Sequence, residues 1–143
     1  RPQNPEAPRV VPGAIARPSY AATGYVRPPN YVTPSCEVQD ASRIERLRRA
    51  GRLARKHLDA ACALALSEPG ISTLDIDAIV HDAIVRDGAY PAPLNYMGFP
   101  RSLCASNNDA CCHGIPNDEP LRRGDVVAFD VSIYCEGVFG DNC

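Results

Sequence analysis

Two carboxylates, Asp130 and Asp141, stand eleven residues apart among apolar and β-forming residues near the end of the sequence. A charge is costly in a half-buried strand, and two carboxylates held close together repel each other. A divalent cation relieves both costs, because carboxylate oxygens are hard ligands. The pair therefore indicates a metal site, provided that the fold brings the side chains together. The alternative is that both face solvent on an exposed sheet, with Arg122 or Arg123 nearby.

The residues around these carboxylates predict the hairpin that would position them. Glu136-Gly137 is typical of a two-residue turn, which sets Ser132 opposite Asp141 and makes Asp130 its diagonal neighbour, about 7 to 8 Å away or less. Strand alternation assigns the flanking residues to two faces. The predicted core face carries Val127, Phe129, Val131, Ile133 and Cys135, and the opposite face carries Val126, Ala128, Asp130, Ser132 and Tyr134.

A long amphipathic helix is predicted upstream, over ASRIERLRRAGRLARKHLDAACALALSEPG. We expect it to open with a Ser42-x-x-Glu45 capping box and to stop at Pro69-Gly70. Its basic run, RLRRAGRLARK, is interpreted as a solvated face rather than a nucleic-acid patch, and His57 is expected at the surface. The residues predicted to face inward are Ile44, Leu47, Ala54, Leu58, Ala61, Cys62 and Ala65.

A second helix is predicted over STLDIDAIVHDAIVRDG, with Ser72 or Thr73 as its cap and Gly88 closing it. Its histidine, His81, is expected to pack or cap rather than to bind a metal. Between this helix and the hairpin, residues rich in Pro, Gly and Asn predict loops around one short strand near 101–106. The predicted inward residues of the helix are Ile76, Ile79, Val80, Ala83 and Ile84.

The first 34 residues hold eight of the fourteen prolines and predict an extended strap rather than a helix or an inner strand. In this strap Ile15, Tyr20 and Tyr25 are candidate anchors to a larger body. A ligand for SH3-type domains is the functional alternative. We therefore divide the chain into a strap over 1–40 and a single domain over 41–143.

Composition restricts the function further. The chain has 143 residues, of which 45% are hydrophobic, and this is the size of one domain with a core. A net charge of −2 argues against general attraction to nucleic acid or anionic membranes. The sequence shows neither a membrane-spanning run nor a signal peptide, so we expect a soluble protein. Because it opens at Arg1 and stops just after the hairpin, we interpret it as a fragment.

Seven cysteines, an odd number scattered along the chain, fit free thiols in a reducing compartment better than a disulfide framework. A zinc module is an alternative hypothesis. It lacks the C-x2-C spacing that lets two thiolates hold one ion. Its ligands would be Cys104, Cys111, Cys112 and His113.

Three segments, YPAPLNYMGFPRSLCAS, CCHGIPNDEPLRRGDVVAFDVSIY and EGVFGD, closely resemble type I methionine aminopeptidases in their order and spacing. The strap VPGAIARPSYAATGYV and the helix IERLRRAGRLARKHLDAA are similar to the same family, so the resemblance runs from Val11 to Asp141. It implies the α+β pita-bread fold of creatinases and aminopeptidases, with only its N-terminal half in this chain. It also implies removal of initiator methionine by water activated on two divalent metal ions, with Co, Mn, Fe and Zn as the candidates.

The resemblance also implies roles for individual residues. Asp130 and Asp141 match two metal ligands, with Asp141 bridging the ions, and His113 matches a histidine that contacts the substrate near the scissile bond. Such a histidine stabilises developing charge, and an apolar pocket of aromatic and sulfur groups suits a methionine side chain. The residues that match this pocket are Tyr96, Phe99, Cys104 and, at its edge, Pro93.

The family's remaining ligands, a histidine and two glutamates, together with a second substrate-contacting histidine, would follow Cys143. We therefore expect these 143 residues alone to bind metal weakly and to be inactive. The implied partners are nascent polypeptides that begin with Met, and the ribosome, for a monomer in the cytoplasm or, with a transit peptide before Arg1, in mitochondria or plastids. The alternative is a non-catalytic, ribosome- or RNA-associated protein of the same fold, which would have no need of the paired carboxylates.

Overall fold

The computed structural model describes residues 9–27 and 37–143 as two helices and a four-stranded antiparallel sheet. Strand β3 is central, because β4 pairs with one of its sides while β1 and β2 pair with the other in succession. Part of the strap, residues 1–8 and 28–36 with Cys36, lies outside the described residues. The elements are α1 (Ala41–Ser67), α2 (Thr73–Arg86), β1 (Tyr90–Pro91), a short 3-10 turn (Tyr96–Gly98), β2 (Cys104–Asn107), β3 (Val127–Cys135) and β4 (Val138–Asn142).

Helix α1 begins two residues earlier than its predicted capping box. Asp40 is the N-cap, and its side chain accepts a hydrogen bond from the backbone N–H of Arg43 at 2.7 Å. Ser42 already lies inside the first turn, so the predicted box at Ser42-x-x-Glu45 is wrong. The helix ends at Ser67, just before Pro69-Gly70, as predicted.

The buried stripe of α1 is narrow and combines three alanines with His57 and Leu58. Ala50, Ala54 and Ala61 are fully buried, and they let the helix lie close to the sheet. On the sheet side, a Cβ at Gly140 would lie 2.3 Å from the backbone carbon and oxygen of Ala50, so only glycine fits there. The predicted inward residues Ile44, Leu47 and Cys62 fall outside this stripe and are exposed.

Helix α2 begins with the capping residue that the sequence predicts. The Ser72 hydroxyl accepts from the N–H of Asp75, and the Asp75 carboxylate accepts from the N–H of Ser72, which completes a capping box. Ile76, Val80 and Ile84 are buried against the sheet, whereas Ile79, predicted to face inward, is exposed. These residues join α1 and the core face of β3 in one cluster, which confirms the predicted alternation along that strand.

Two histidines on the helices are buried. His81 Nδ1 lies 2.7 Å from Ser102 Oγ and its Nε2 lies 3.2 Å from the Val10 carbonyl oxygen, which confirms that it packs. His57, expected at the surface, is 1% exposed, and its Nε2 lies 3.0 Å from Asp87 Oδ2. That expectation is wrong because the partner of His57 comes from the end of α2, thirty residues further along the chain.

The described part of the strap packs on the sheet beside a second, smaller cluster. Val11 and Tyr20 are buried there against Tyr90 and Leu94, with Ile15 partly buried. Tyr25 is 67% exposed, so it is not an anchor. Within the described residues no cysteine is in a disulfide, and no helix is long and apolar enough to cross a membrane.

Candidate metal centre and its cleft

The hairpin of β3 and β4 has the predicted register. Glu136 and Gly137 form the turn with φ of 49° and 78°, the positive values that a type I′ turn requires. Ser132 lies opposite Asp141, which places Asp130 and Asp141 diagonally on one face of the hairpin. The structure therefore brings the two carboxylates together, with Asp130 half-buried and Asp141 exposed, so the solvent-facing alternative fits Asp141 but not Asp130.

The carboxylate of Asp130 is poorly satisfied by the protein. Its Oδ1 is shielded from solvent and has no hydrogen-bond partner among the described residues. Burial, and then the charge of Asp141, raise the pKa of Asp130 above its usual value. Asp141 is better served, because the Ser132 hydroxyl donates to its Oδ1 at 2.6 Å. An unpartnered oxygen beside a second carboxylate is the arrangement that a divalent cation stabilises.

These carboxylates are a pair rather than a complete ligand set. Within residues 9–27 and 37–143, no group of three or more His, Cys, Asp or Glu side chains is arranged to hold a metal ion. The residues present fit a divalent cation as two oxygen ligands, and further ligands are needed for tight binding. The same finding counts against the zinc module, because Cys104 is buried while Cys111 and Cys112 lie exposed on a loop.

His113 is placed in the cleft by a loop that is pinned to β2. Its φ is 52°, in the left-handed region that non-glycine residues seldom adopt. The following residue, Gly114, donates its N–H to Ser106 Oγ and accepts from the N–H of Ala105 at 2.9 Å. A Cβ at Gly114 would lie 2.1 Å from the Ala105 oxygen, so the loop rests directly on the strand. These contacts thus fix the backbone from which the imidazole of His113 projects.

A cleft of about 500 Å³ contains all seven of the site residues that the sequence singled out. The carboxylates and His113 line one part, and apolar side chains line the rest. The sequence reasoning did not assign five further residues to this cleft, although strand alternation placed Ser132 on the Asp130 face. The predicted residues are Pro93, Tyr96, Phe99, Cys104, His113, Asp130 and Asp141, and the additional ones are Tyr20, Ala92, Met97, Ser132 and Phe139.

Cys104 joins the two parts of the cleft. It pairs with Asp130 in the β2–β3 ladder and is 6% exposed. Burial, and then the charges of Asp130 and Asp141, raise the pKa of this thiol to about 12. It is therefore a neutral, polarisable group at neutral pH, which suits a wall for a thioether side chain better than a nucleophile.

Sequence comparison finds a single family model over most of the chain and many related enzymes. The model of metallopeptidase family M24 matches residues 45–143. Methionine aminopeptidase 1D, mitochondrial, of Dictyostelium discoideum is 39% identical over 99% of this chain and 36% of its own length. The chloroplastic/mitochondrial methionine aminopeptidase 1D of Arabidopsis thaliana is 43% identical over 99% of this chain and 39% of its own. The chain thus spans about two fifths of the length of such relatives.

Solved structures show the same similarity in three dimensions. The crystal structure of methionine aminopeptidase from Rickettsia prowazekii superposes with a TM-score of 0.70 at 40% identity, covering 73% of this chain and 42% of that one. An X-Pro aminopeptidase from Thermotoga maritima superposes with a TM-score of 0.54 at 19% identity. The second likeness concerns the fold alone.

Proposed function

Because this chain belongs to metallopeptidase family M24, we propose that it is the N-terminal part of a type I methionine aminopeptidase, which removes the initiator methionine from new proteins. Its fold is part of the pita-bread fold of such aminopeptidases. The observation that carries the proposal is the cleft itself. It joins a carboxylate pair with an unpartnered oxygen to an apolar wall within one cavity.

The metal site is proposed at Asp130 and Asp141, whose carboxylates would both hold divalent ions. A histidine and two glutamates outside the present sequence would complete the ligand set. Divalent ions bound there would supply an activated water and polarise the scissile carbonyl. The unpartnered Oδ1 of Asp130 supports this assignment, because that oxygen needs a cationic partner in its half-buried setting.

The apolar part of the cleft is the proposed pocket for the methionine side chain. Tyr96 and Phe99 supply aromatic walls, Cys104 supplies a neutral thiol, and Pro93 lies at the edge. An unbranched thioether packs well against aromatic rings and sulfur. The terminal amine of the substrate would then lie toward the carboxylates, which attract a positive charge.

His113 is the proposed contact to the peptide beside the scissile bond. Its ring lies in the same cleft as both carboxylates, and its backbone is held by the loop pinned to β2. From there its ring N–H would donate a hydrogen bond to the oxygen that gains negative charge as the peptide carbonyl is attacked. Fixed donors of this kind stabilise the transition state more than the ground state.

The domain assignment, partners and compartment follow from the same proposal. Residues 41–143 would belong to the catalytic domain and 1–40 to the strap. The substrates would be nascent chains that begin with Met, presented at the ribosome to a monomeric enzyme. The name of one relative says mitochondrial, that of another says chloroplastic/mitochondrial, and that of a third gives no compartment. We therefore propose that the enzyme acts either in the cytosol or in one of these organelles.

Peptide cleavage and metal content together test the proposal. Full-length protein should bind about two divalent ions and release methionine from a Met-Ala-Ser peptide. Asp141→Asn should remove most of the bound metal and lower kcat/KM at least about a hundredfold, whereas Asp118→Asn, an exposed loop change outside the cleft, should do neither. The 143 residues alone should bind metal weakly and cleave nothing.

Two outcomes would contradict the proposal. A full-length protein that takes up no divalent ion would favour the non-catalytic binding protein of the same fold. A protein that takes up metal but leaves Met-Ala-Ser intact under all metals tested, Co, Mn, Fe and Zn, would refute the activity while leaving the metal site standing.

A further inference from the structure

The turn that carries the pocket wall has a strained backbone. Asn95 and Met97 have φ of 61° and 50°, and both are non-glycine residues in the left-handed region. Residues that carry a side chain seldom adopt this conformation, and it persists only where surrounding contacts hold it. Because Tyr96 lies between these two residues and Phe99 follows them, the shape of the pocket depends on what holds this turn.

Internal hydrogen bonds close the turn but do not attach it to the body of the protein. The N–H of Asn95 donates to the Phe99 oxygen at 2.8 Å, and the N–H of Phe99 donates to the Tyr96 oxygen at 2.9 Å. Both bonds would survive if the turn moved as a unit. The position of Tyr96 in the cleft therefore needs contacts from elsewhere.

The strap supplies those contacts from more than seventy residues away. The Tyr20 hydroxyl donates to the Ala92 oxygen at 2.6 Å, just before the turn. The Tyr20 ring meets the Tyr96 ring edge to face, with centroids 5.1 Å apart and an interplanar angle of 88°. One residue further on, the Ala21 oxygen accepts from Asn95 Nδ2 at 3.0 Å. The strap thus contacts the turn at its start, at its left-handed residue and at its pocket-facing ring.

Tyr20 also forms part of the cleft wall itself. It is 5% exposed and lines the same cavity as Tyr96 and Phe99. Burial raises the pKa of its phenol well above the usual range, so the hydroxyl stays protonated at neutral pH and donates to the Ala92 oxygen. Ring and hydroxyl together give this side chain one fixed orientation.

We propose that Tyr20 is a specificity-determining residue of the cleft. It holds the Tyr96–Phe99 turn at a spacing that admits an unbranched apolar side chain, such as that of methionine, and excludes branched or bulkier ones. This inference rests on the proposed function, because it assigns the selectivity of the same pocket. It adds a strap residue to a pocket whose other walls come from residues 92–141.

Peptides that differ only in their first residue test this inference on the full-length protein. Wild type should cleave Met-Ala-Ser in strong preference to Leu-Ala-Ser and Phe-Ala-Ser. Tyr20→Leu, which removes both the hydroxyl bond and the aromatic contact, should raise KM for the Met peptide about tenfold with kcat changed less than about twofold. Its preference for Met over Leu should fall about tenfold. Tyr20→Phe keeps the ring but loses the hydroxyl bond, so its KM and its preference for Met over Leu should lie between those of wild type and Tyr20→Leu.

A control variant tests whether Tyr20 itself sets the selectivity of the cleft or whether any loosening of the strap from the sheet has the same effect. Val11→Ala truncates a buried residue of the same small cluster that lines no part of the cleft, so its Met-to-Leu preference should equal that of wild type. Amide hydrogen exchange gives a second readout, in which Tyr20→Leu, but not Val11→Ala, accelerates exchange at Gly98 and Phe99. If Tyr20→Leu does not fold, Tyr20→Phe should still show a shift of about threefold in preference.

The outcomes distinguish this inference from the proposed function. A wild-type protein that cleaves no Met peptide refutes both. A wild-type protein that cleaves Met peptides, together with Tyr20 variants of unchanged preference, overturns the role of Tyr20 alone. An equal loss of preference in Val11→Ala also overturns it, because the strap would then act only by being docked.

Discussion

The charged form of Asp130 is destabilised by the surroundings of this one residue. It is half-buried, one of its oxygens has no partner among the described residues, and Asp141 faces it across the hairpin. These conditions raise its pKa, so in the absence of metal the folded protein holds the Asp130 proton more tightly than the unfolded chain does. The contribution of Asp130 to the stability of the metal-free protein therefore falls as pH rises above 3.8, the ordinary value for an aspartate.

Asp130→Asn should accordingly stabilise the metal-free protein while weakening its affinity for divalent ions. At pH 7 we expect a rise in Tm of about 2 °C, since the amide removes the repulsion with Asp141 and the burial of a charge. Below about pH 3 the difference should vanish, because the wild-type carboxyl is then protonated in both states. Thermal unfolding in a chelator, with Asp118→Asn as the control, measures both points. A lower Tm at pH 7 would contradict this account.

At the scale of elements, the sequence predicted what depends on neighbours along the chain. Alternation and the Glu136-Gly137 turn were enough to place Ser132 opposite Asp141. The cap of α1 was misplaced because Asp40 and Ser42 are both good capping residues and only the folded backbone decides between them. Helical periodicity correctly placed Ala54 and Ala61 inward, but it could not show that Ile44 lies outside the contact, because the extent of that contact is set by the partner strand.

The contact between α1 and β4 is where a single added methyl group should do most harm. Gly140→Ala would place its Cβ 2.3 Å from the Ala50 carbonyl group, which belongs to a helix backbone that cannot rotate away. We expect a loss of about 3 kcal/mol in the free energy of unfolding, measured by urea titration. Gly51→Ala is the matched control on the helix side, where nothing lies within 4 Å, and it should be neutral or stabilising by up to about 1 kcal/mol. Equal values for the two variants would show that the helix can move back at little cost.

At the scale of the whole molecule, the predictions for His57 and Tyr25 failed because the contacts that decide their burial lie far along the chain. His57 was expected at the surface because its own helix offers no side chain to contact its ring. In the structure the carboxylate of Asp87, at the end of α2, contacts that ring. Tyr25 resembled Tyr20 as an anchor, yet only Tyr20 reaches the small cluster. The predicted site residues, which line one cleft, could be named because their motifs lie in three short segments, while the contribution of Tyr20 to the cleft depends on a contact across 72 residues.

The two buried histidines make stability sensitive to mild acid. Burial lowers the pKa of His57 and of His81 below the ordinary value of 6.5. As pH falls through 6.5, both imidazoles are protonated in the unfolded chain before they are protonated in the folded protein. The free energy of unfolding therefore falls. The Lys56 ammonium lowers the pKa of Asp87, and the stability that this ion pair provides is lost only as pH falls through 3.8 and below.

This pH dependence should disappear when both imidazoles are replaced. Urea titrations at pH 7.5, 6.5 and 5.5 should show wild-type stability falling with pH, a shallower fall for His57→Gln, and almost none for His57→Gln combined with His81→Gln. Both replacements will lower stability at pH 7.5, so the slope rather than the absolute value is diagnostic. A double variant with the wild-type slope would mean that other groups titrate in this range.

The central position of β3 affects when the core can form during synthesis on the ribosome. Strands β1, β2 and β4 all pair with β3, and the main core needs its inward face. On a ribosome that adds about 5–20 residues per second, β3 is completed roughly 5–20 seconds after the start of α1. During that interval the alanine stripe of α1, the buried face of α2 and the Tyr20 ring have no sheet to cover them. We therefore expect the main core to form only after synthesis has passed the hairpin, with these apolar faces uncovered until then.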